Sequence, residues 1–304
     1  MAIAKFHSQL NERHQLFTTL SGEKAPKWWG IVKNHKDLYI DIRKENYINI
    51  YYCGASIAKI EMKRGQKQPS AKTHPKYLGH NDYMDSRYYK ERYDKKRDKI
   101  VYDPIYQDCT YELENNLDRL IQRAYDIYVN RDDKEGKNPE NISEKKIQGQ
   151  IIMNSKPWYI DSEFAHRYED SSQKTIRIDL VRIKNNKIQF VELKRIQDGR
   201  MLHNEEDPEI LTQIHEYKTF LSENKSDILD YYKILLNIKS NLKLPLPIPK
   251  AMIDDIGIDT TPVLLVADYL SNNSKRIDRK KRIEDNLKKK DVIIEYHEYA
   301  NNNS

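Results

Sequence analysis

Cysteine is nearly missing from this 304-residue sequence: Cys53 and Cys109 stand alone. Two isolated thiols build neither a disulfide framework nor a cysteine zinc site, and they suit a reducing compartment. Glycine is scarce as well, with nine in all. None of them falls into a phosphate-cradling P-loop, a dinucleotide fingerprint or a Gly-x-Ser-x-Gly elbow. Nucleotide-driven motor activity would therefore have to come from another chain. No apolar run approaches the roughly 20 residues of a membrane span, and the opening MAIAKFHSQL has no long apolar segment of the secretory kind. The setting expected is soluble and cytoplasmic, without a membrane partner. His166, His203 and His215 lie within one stretch of chain, but no two have zinc-ligand spacing.

Charge is what the sequence has in excess. A third of the residues (33%) are charged against 38% hydrophobic, and the net charge is +6. Its distribution is uneven. Between Lys275 and Lys290 nine basic residues meet three acids, so this one segment carries the whole net charge and the rest balances to zero. Lys275, Arg276, Arg279 and Lys280 on this predicted helix form a face suited to a phosphate backbone. An ordinary solvated helix face is the alternative.

The hydrophobic pattern divides the chain. Residues 5–35 read as helical, with Phe6, Leu10, Leu16 and Phe17 at helix spacing. LYIDIR (38–43), YINIYY (47–52) and ASIAKIEM (55–62) alternate and are parted by short turns, which predicts an antiparallel meander. Residues 63–100 are basic and rich in tyrosine. That mixture can bind nucleic acid by charge and stacking, although a surface helix or loop is the simpler account of it. Residues 111–129 predict an amphipathic helix, and 130–141 a polar linker. After it come a short helix (about 142–153), the strand PWYIDSEFAH, two strands over 177–194, a helix over about 208–222, and an irregular stretch through KLPLPIPK. The strand TPVLLVADYL, the basic helix (274–290) and the strand DVIIEYHEY finish the chain. The organisation expected is a small N-terminal helical and antiparallel β region (1–110), serving recognition or assembly, followed by an α/β domain (111–304, core 142–300).

The strands RIDLVRIK and KIQFVELK hold charges that a sheet does not need. If Asn185 and Asn186 form a two-residue turn, which Asn tolerates at positive φ, Val181 falls opposite Phe190 and Asp179 opposite Glu192. Directly opposed residues have Cβ atoms about 4.5–5.5 Å apart, and alternation puts Lys194 on the same face. Carboxylates so placed raise each other's pKa unless a cation sits between them. A hard divalent ion, Mg²⁺ or Mn²⁺, prefers such oxygen ligands together with water and phosphate oxygens. Lys194 would orient or deprotonate a water, or stabilise charge developing on phosphorus.

Asp179 followed by Glu192-Leu193-Lys194 on adjacent strands resembles the PD-(D/E)XK nuclease superfamily. The order helix, three strands, helix, strand from residue 142 onward is similar to its core, and only the proline of the family name is replaced, by Ile178. The resemblance implies Asp179 and Glu192 as metal ligands, the carbonyl of Leu193 as a third, and Lys194 as the catalytic lysine. In DPEILTQIHEYKTFL, Asp207 can cap a helix with Pro208 in its first position, and Gln213 and Tyr217 lie four apart on one face. This Q-x-x-x-Y pattern resembles the RecB-like branch, where the two residues line the site near DNA. Tyr217 also continues the apolar stripe of Ile210, Ile214 and Leu221. Members usually add an acid from the first core helix. Glu144 is one candidate, and Glu163 on the following strand is the other.

The fold expected is thus α/β (α+β overall), with a restriction-endonuclease-like core whose mixed central sheet is flanked by helices. The function expected is a Mg²⁺- or Mn²⁺-dependent nuclease acting on DNA before RNA, endonuclease before exonuclease, similar in architecture to those of prokaryotic restriction and anti-phage defence. A homo-oligomer or a partner protein of such a system is compatible with it. A fold of this kind that binds nucleic acid, or regulates, without cutting is the alternative.

Overall fold

The computed structural model describes residues 6, 8–128, 143–167, 175–202, 208–269, 271–287 and 290–298. Contacts divide the chain into two units, one of residues 10–149 with 241–244, the other of residues 1–9, 150–240 and 245–304. The expected boundary at 110/111 is therefore corrected. The amphipathic segment breaks at Asn116 into α3 (Thr110–Asn115) and α4 (Leu117–Tyr128). Both belong to the first unit, because Leu113, Leu117, Leu120 and Ala124 bury their apolar side there. The predicted linker 130–141 lies outside the described residues.

Helix begins later than the spacing of Phe6, in the second unit, and Leu10, in the first, suggests. Those residues are buried in irregular chain. α1 (Gln15–Ser21) starts at His14, whose ring nitrogen accepts from the Leu16 N–H, and α2 (Lys27–Lys33) follows Pro26. The meander forms as read: β1 (Tyr39–Arg43), β2 (Tyr47–Tyr52) and β3 (Ala55–Glu61) pair antiparallel, and β4 (Ser70–Thr73) extends the sheet. The tyrosine-rich stretch holds a short 3-10 helix (Pro75–Leu78) and irregular chain over 79–88, as read, but its last part is strand. It makes the hairpin β5 (Tyr89–Asp94) and β6 (Lys99–Pro104), while β7 (Gln107–Asp108) closes the five-stranded sheet beside β4. Tyr89, Tyr93, Ile100, Val101 and Tyr102 are aromatic and β-branched residues that favour a pleated ribbon over a helix.

One glycine pair has a steric reason. Cys53 and Gly54 both take positive φ in the β2–β3 turn. A Cβ on Gly54 would lie 2.2 Å from the carbonyl oxygen of Lys145, and one on Gly149 would lie 2.2 Å from the nitrogen of Gly54. Backbone meets backbone where this turn abuts α5 (Glu144–Asn154).

The second unit is built on a sheet with the order β13 (Ile293–Glu298), β12 (Val263–Tyr269), β10 (Lys187–Arg195), β9 (Ile176–Lys184) and β8 (Tyr159–His166), with β11 (Gly257–Ile258) also pairing β10. β8, β9 and β10 are antiparallel neighbours. β12 and β13 join in parallel. β12 is buried at every position but its last, as a central parallel strand covered on both faces requires. α6 (Glu209–Glu223) and α8 (Ser274–Leu287) share a core with it: Ile210 and Ile214, Ile283 and Leu287, around Leu264 and Val266. The stretch expected to be irregular after residue 222 is instead α7 (Lys225–Asn241), which buries Ile228, Tyr231, Tyr232, Leu235, Leu236 and Ile238. Only the proline-rich part beyond it is irregular. The fold is mixed α+β, with an antiparallel sheet in the first unit and a mixed sheet in the second.

Candidate functional site

Asn185 and Asn186 turn at φ of 52° and 56°, and the register they set runs Lys184–Lys187, Ile183–Ile188, Arg182–Gln189, Val181–Phe190 and Leu180–Val191. There the β9–β10 ladder stops. β9 continues alongside β8 through Ile176, while β10 continues alongside β12 through Arg195. Asp179 and Glu192, next in register, therefore stand where two strands cease to bond to each other. The main-chain N–H of Leu193 donates to Asp179 Oδ2 at 2.9 Å instead of to a strand partner.

The ammonium of Lys194 lies among the oxygens of this gap. It pairs with Glu192 Oε1, donates to the carbonyl of Leu193 at 3.0 Å, and stands 3.9 Å from Asp179 Oδ2. Glu192 and Lys194 are 2% and 3% exposed, whereas the Asp179 side chain keeps 29% of its surface. Burial pushes the Asp179 carboxyl above the usual aspartate range and the charge of Glu163 adds to the rise. The Lys194 ammonium, the Leu193 N–H and a hydrogen bond with Glu192 oppose it.

α6 contributes from the facing layer. Its N-cap is Pro208, one residue ahead of the first helical position expected for it, and Asp207 lies outside the described residues. Gln213 Nε2 donates to Glu192 Oε1 at 2.7 Å and to the Tyr217 hydroxyl at 2.6 Å, and that hydroxyl donates to the carbonyl of Arg177. Tyr217 is both part of the buried stripe and bound to the site. Burial, then the Glu192 charge, raises its pKa. The anchor on the Arg177 carbonyl had no signal in the sequence, since it is a main-chain atom on another strand.

Of the two candidate acids, Glu163 is exposed on β8, in the unit that holds Asp179, and takes a positive φ of 52° that is rare outside Gly, Asn and Asp. Glu144 opens α5 and belongs to the first unit. Among the described residues no three His, Cys, Asp or Glu side chains are grouped to hold a metal ion.

The basic helix splits in role. Lys275 is exposed. Arg276, expected on the phosphate-binding face, is 5% exposed and gives its guanidinium to the carboxylate and carbonyl of Asp268, which Arg195 also meets at 3.2 Å. Arg279 donates to the carbonyls of Ile196, Gln197 and Asp198. These arginines tie α8 to the ends of β10 and β12, so neither offers a free guanidinium. Lys280 sits over the rings of Tyr269 and Tyr296, at 4.6 and 4.4 Å. His166 is buried against Phe220 and Phe6, His215 is exposed, and His203 lies outside the described residues.

The arrangement offers a buried cluster of oxygen donors around a cation, opened toward solvent through Asp179, with an amide and a phenol fixed beside it. No protein-family model matches this chain, and no curated protein or solved structure matches it either.

Proposed function

We propose that this chain is a divalent-metal-dependent nuclease of the PD-(D/E)XK kind, cutting phosphodiester bonds in DNA. One observation carries the reading: Asp179 Oδ2, Glu192 Oε1 and the Leu193 carbonyl converge on a cation, the Lys194 ammonium, at the point where β9 and β10 part. These are hard oxygen donors of the type Mg²⁺ or Mn²⁺ takes, so the residues present fit the ion. Asp179, Glu192 and the Leu193 carbonyl would hold it, with Glu163, whose charge acts on Asp179 within the same unit, proposed to assist. When bound, the ion supplies Lewis-acid activation of water and charge neutralisation at the phosphate. Lys194, released from Glu192, orients the attacking water or stabilises the oxyanion of the phosphorane-like transition state through its Nζ. Gln213 holds Glu192 in place, and Tyr217 holds Gln213. Of the basic face, Lys275 remains suited to a phosphate.

Incubation of supercoiled plasmid with Mg²⁺ or Mn²⁺ tests the reading, beside EDTA and Lys194→Ala controls. Nicked or linear product that disappears in both controls supports it. Equal cleavage by Lys194→Ala and Asp179→Ala would falsify the assignment. A second reading, a protein of the same fold that binds nucleic acid or regulates without cutting, is favoured by the near-complete burial of Glu192 and Lys194. Metal-independent, salt-sensitive binding without product would support that one.

A further inference from the structure

The hairpin β5–β6 forms a two-stranded sheet of its own, with no third strand beside it among the described residues. Isolated ribbons are marginal in water, and this one is fastened at its base. Tyr89 is 3% exposed and its hydroxyl donates to the His80 carbonyl at 2.8 Å, while the Ile105 N–H donates to the Tyr88 carbonyl at 2.8 Å. From that base six residues of each strand run outward, about 20 Å.

The far end is cationic in a specific way. Of the ribbon's four acids, Glu91 is exposed and the other three are engaged: Asp94 accepts the turn N–H of Lys96 at 3.0 Å, Asp98 takes the Tyr93 hydroxyl, and Asp103 pairs with Arg92 at 2.7 Å. Lys95, Lys96 and Lys99 are exposed, and their side chains have no partner among the described residues. Next to them Tyr93 and Ile100, a cross-strand pair, keep 55% and 51% of their surface. An apolar pair is thus left in water beside three unpaired ammonium groups.

We propose that this ribbon is a duplex-DNA-binding element that enters the major groove, its lysines meeting phosphates and Tyr93 and Ile100 meeting base edges and pyrimidine methyl groups. The groove, about 12 Å wide, admits a two-stranded ribbon, and the cation excess matches a phosphate-lined cleft. The inference rests on the nucleic-acid reading above for its choice of partner, but not on cleavage.

The test is fluorescence anisotropy of the full chain with a labelled short duplex in EDTA, over a range of salt, for wild type and for the Lys95→Ala/Lys96→Ala/Lys99→Ala variant. Thermal denaturation confirms that the variant is folded. The variant should bind about tenfold or more weakly, with a log–log salt slope smaller by about 3, one step per lost phosphate contact. Bulky groups at pyrimidine C5, which project into the major groove, should weaken wild type and leave the variant little changed. Equal affinity and slope for both proteins would overturn the proposal and give the ribbon to a protein partner, and so would a wild type that binds no duplex. An intact plasmid together with the expected binding loss would count against the nuclease alone.

Discussion

Asp179 stands one residue beyond the last β9–β10 pair and accepts the N–H of Leu193 at 2.9 Å. Its carboxylate does for β10 what a strand partner does elsewhere, so a residue proposed for chemistry also seals a sheet. Asp179→Ala should leave the Leu193 N–H without an acceptor at a cost of about 1–3 kcal/mol, whereas Asp179→Asn keeps an amide oxygen there and should recover most of that stability. Neither variant should cleave plasmid. Denaturant unfolding separates the effects, and equal stability of Asp179→Ala and wild type would refute the sealing role.

Lys194 is the cation that the site supplies to itself. Removing it as Lys194→Met leaves Glu192 buried beside Asp179, and breaking such a pair costs about 3–5 kcal/mol. In EDTA the variant should melt well below wild type. Mg²⁺ or Mn²⁺ should raise its melting temperature more than that of wild type, because in the variant no ammonium competes for the oxygens and the bound ion stabilises by mass action. A variant whose melting temperature ignores both ions would show that these oxygens are not a metal site.

Much of this site could be read from the sequence because it depends on local rules. Two asparagines fix a turn, the turn fixes a register, and the register places Asp179, Glu192 and Lys194 on one face. Gln213 and Tyr217 follow from a helical spacing. What could not be read depends on partners far away in the chain. Arg276 looks like any other base in its run until Asp268, at a positive-φ bulge in β12, buries it. The helix over 225–241 has periodicity in Ile228, Tyr231, Tyr232, Leu235 and Leu236, but the prolines that follow residue 244 mask it in the sequence. The hairpin over 89–104 was hidden by its polarity, since an exposed ribbon has no buried face to set a period of two.

Gly149 offers a test of packing within the first unit. A methyl group there meets the main-chain nitrogen of Gly54 at 2.2 Å, a distance that a side chain cannot relieve by rotating. Gly149→Ala should therefore destabilise by at least the about 1–3 kcal/mol of ordinary overpacking, despite alanine's better helix propensity. Gly30→Ala, where a Cβ meets nothing within 4 Å, should be neutral or stabilising. Urea unfolding of the two variants reads the difference, and similar midpoints would disprove the close approach.

Glu295 gives the sheet a defined acid limit. Its Oε1 accepts from Arg182 and from Lys184, each at 2.7 Å. Burial pushes the carboxyl up, but these cations outweigh it and hold the pKa at about 2, against an ordinary 4.5. Because the folded value lies below the unfolded one, the stabilisation is complete above about pH 4.5 and is lost as pH falls toward 2. Lys184 is half-exposed, so solvent screening limits the gain to about 1 kcal/mol. Wild type should exceed Glu295→Gln by that amount at neutral pH, and the gap should close through the acid range and narrow in high salt. A gap that stays constant from pH 7 to pH 2 would mean that the residue acts through packing and not through its charge.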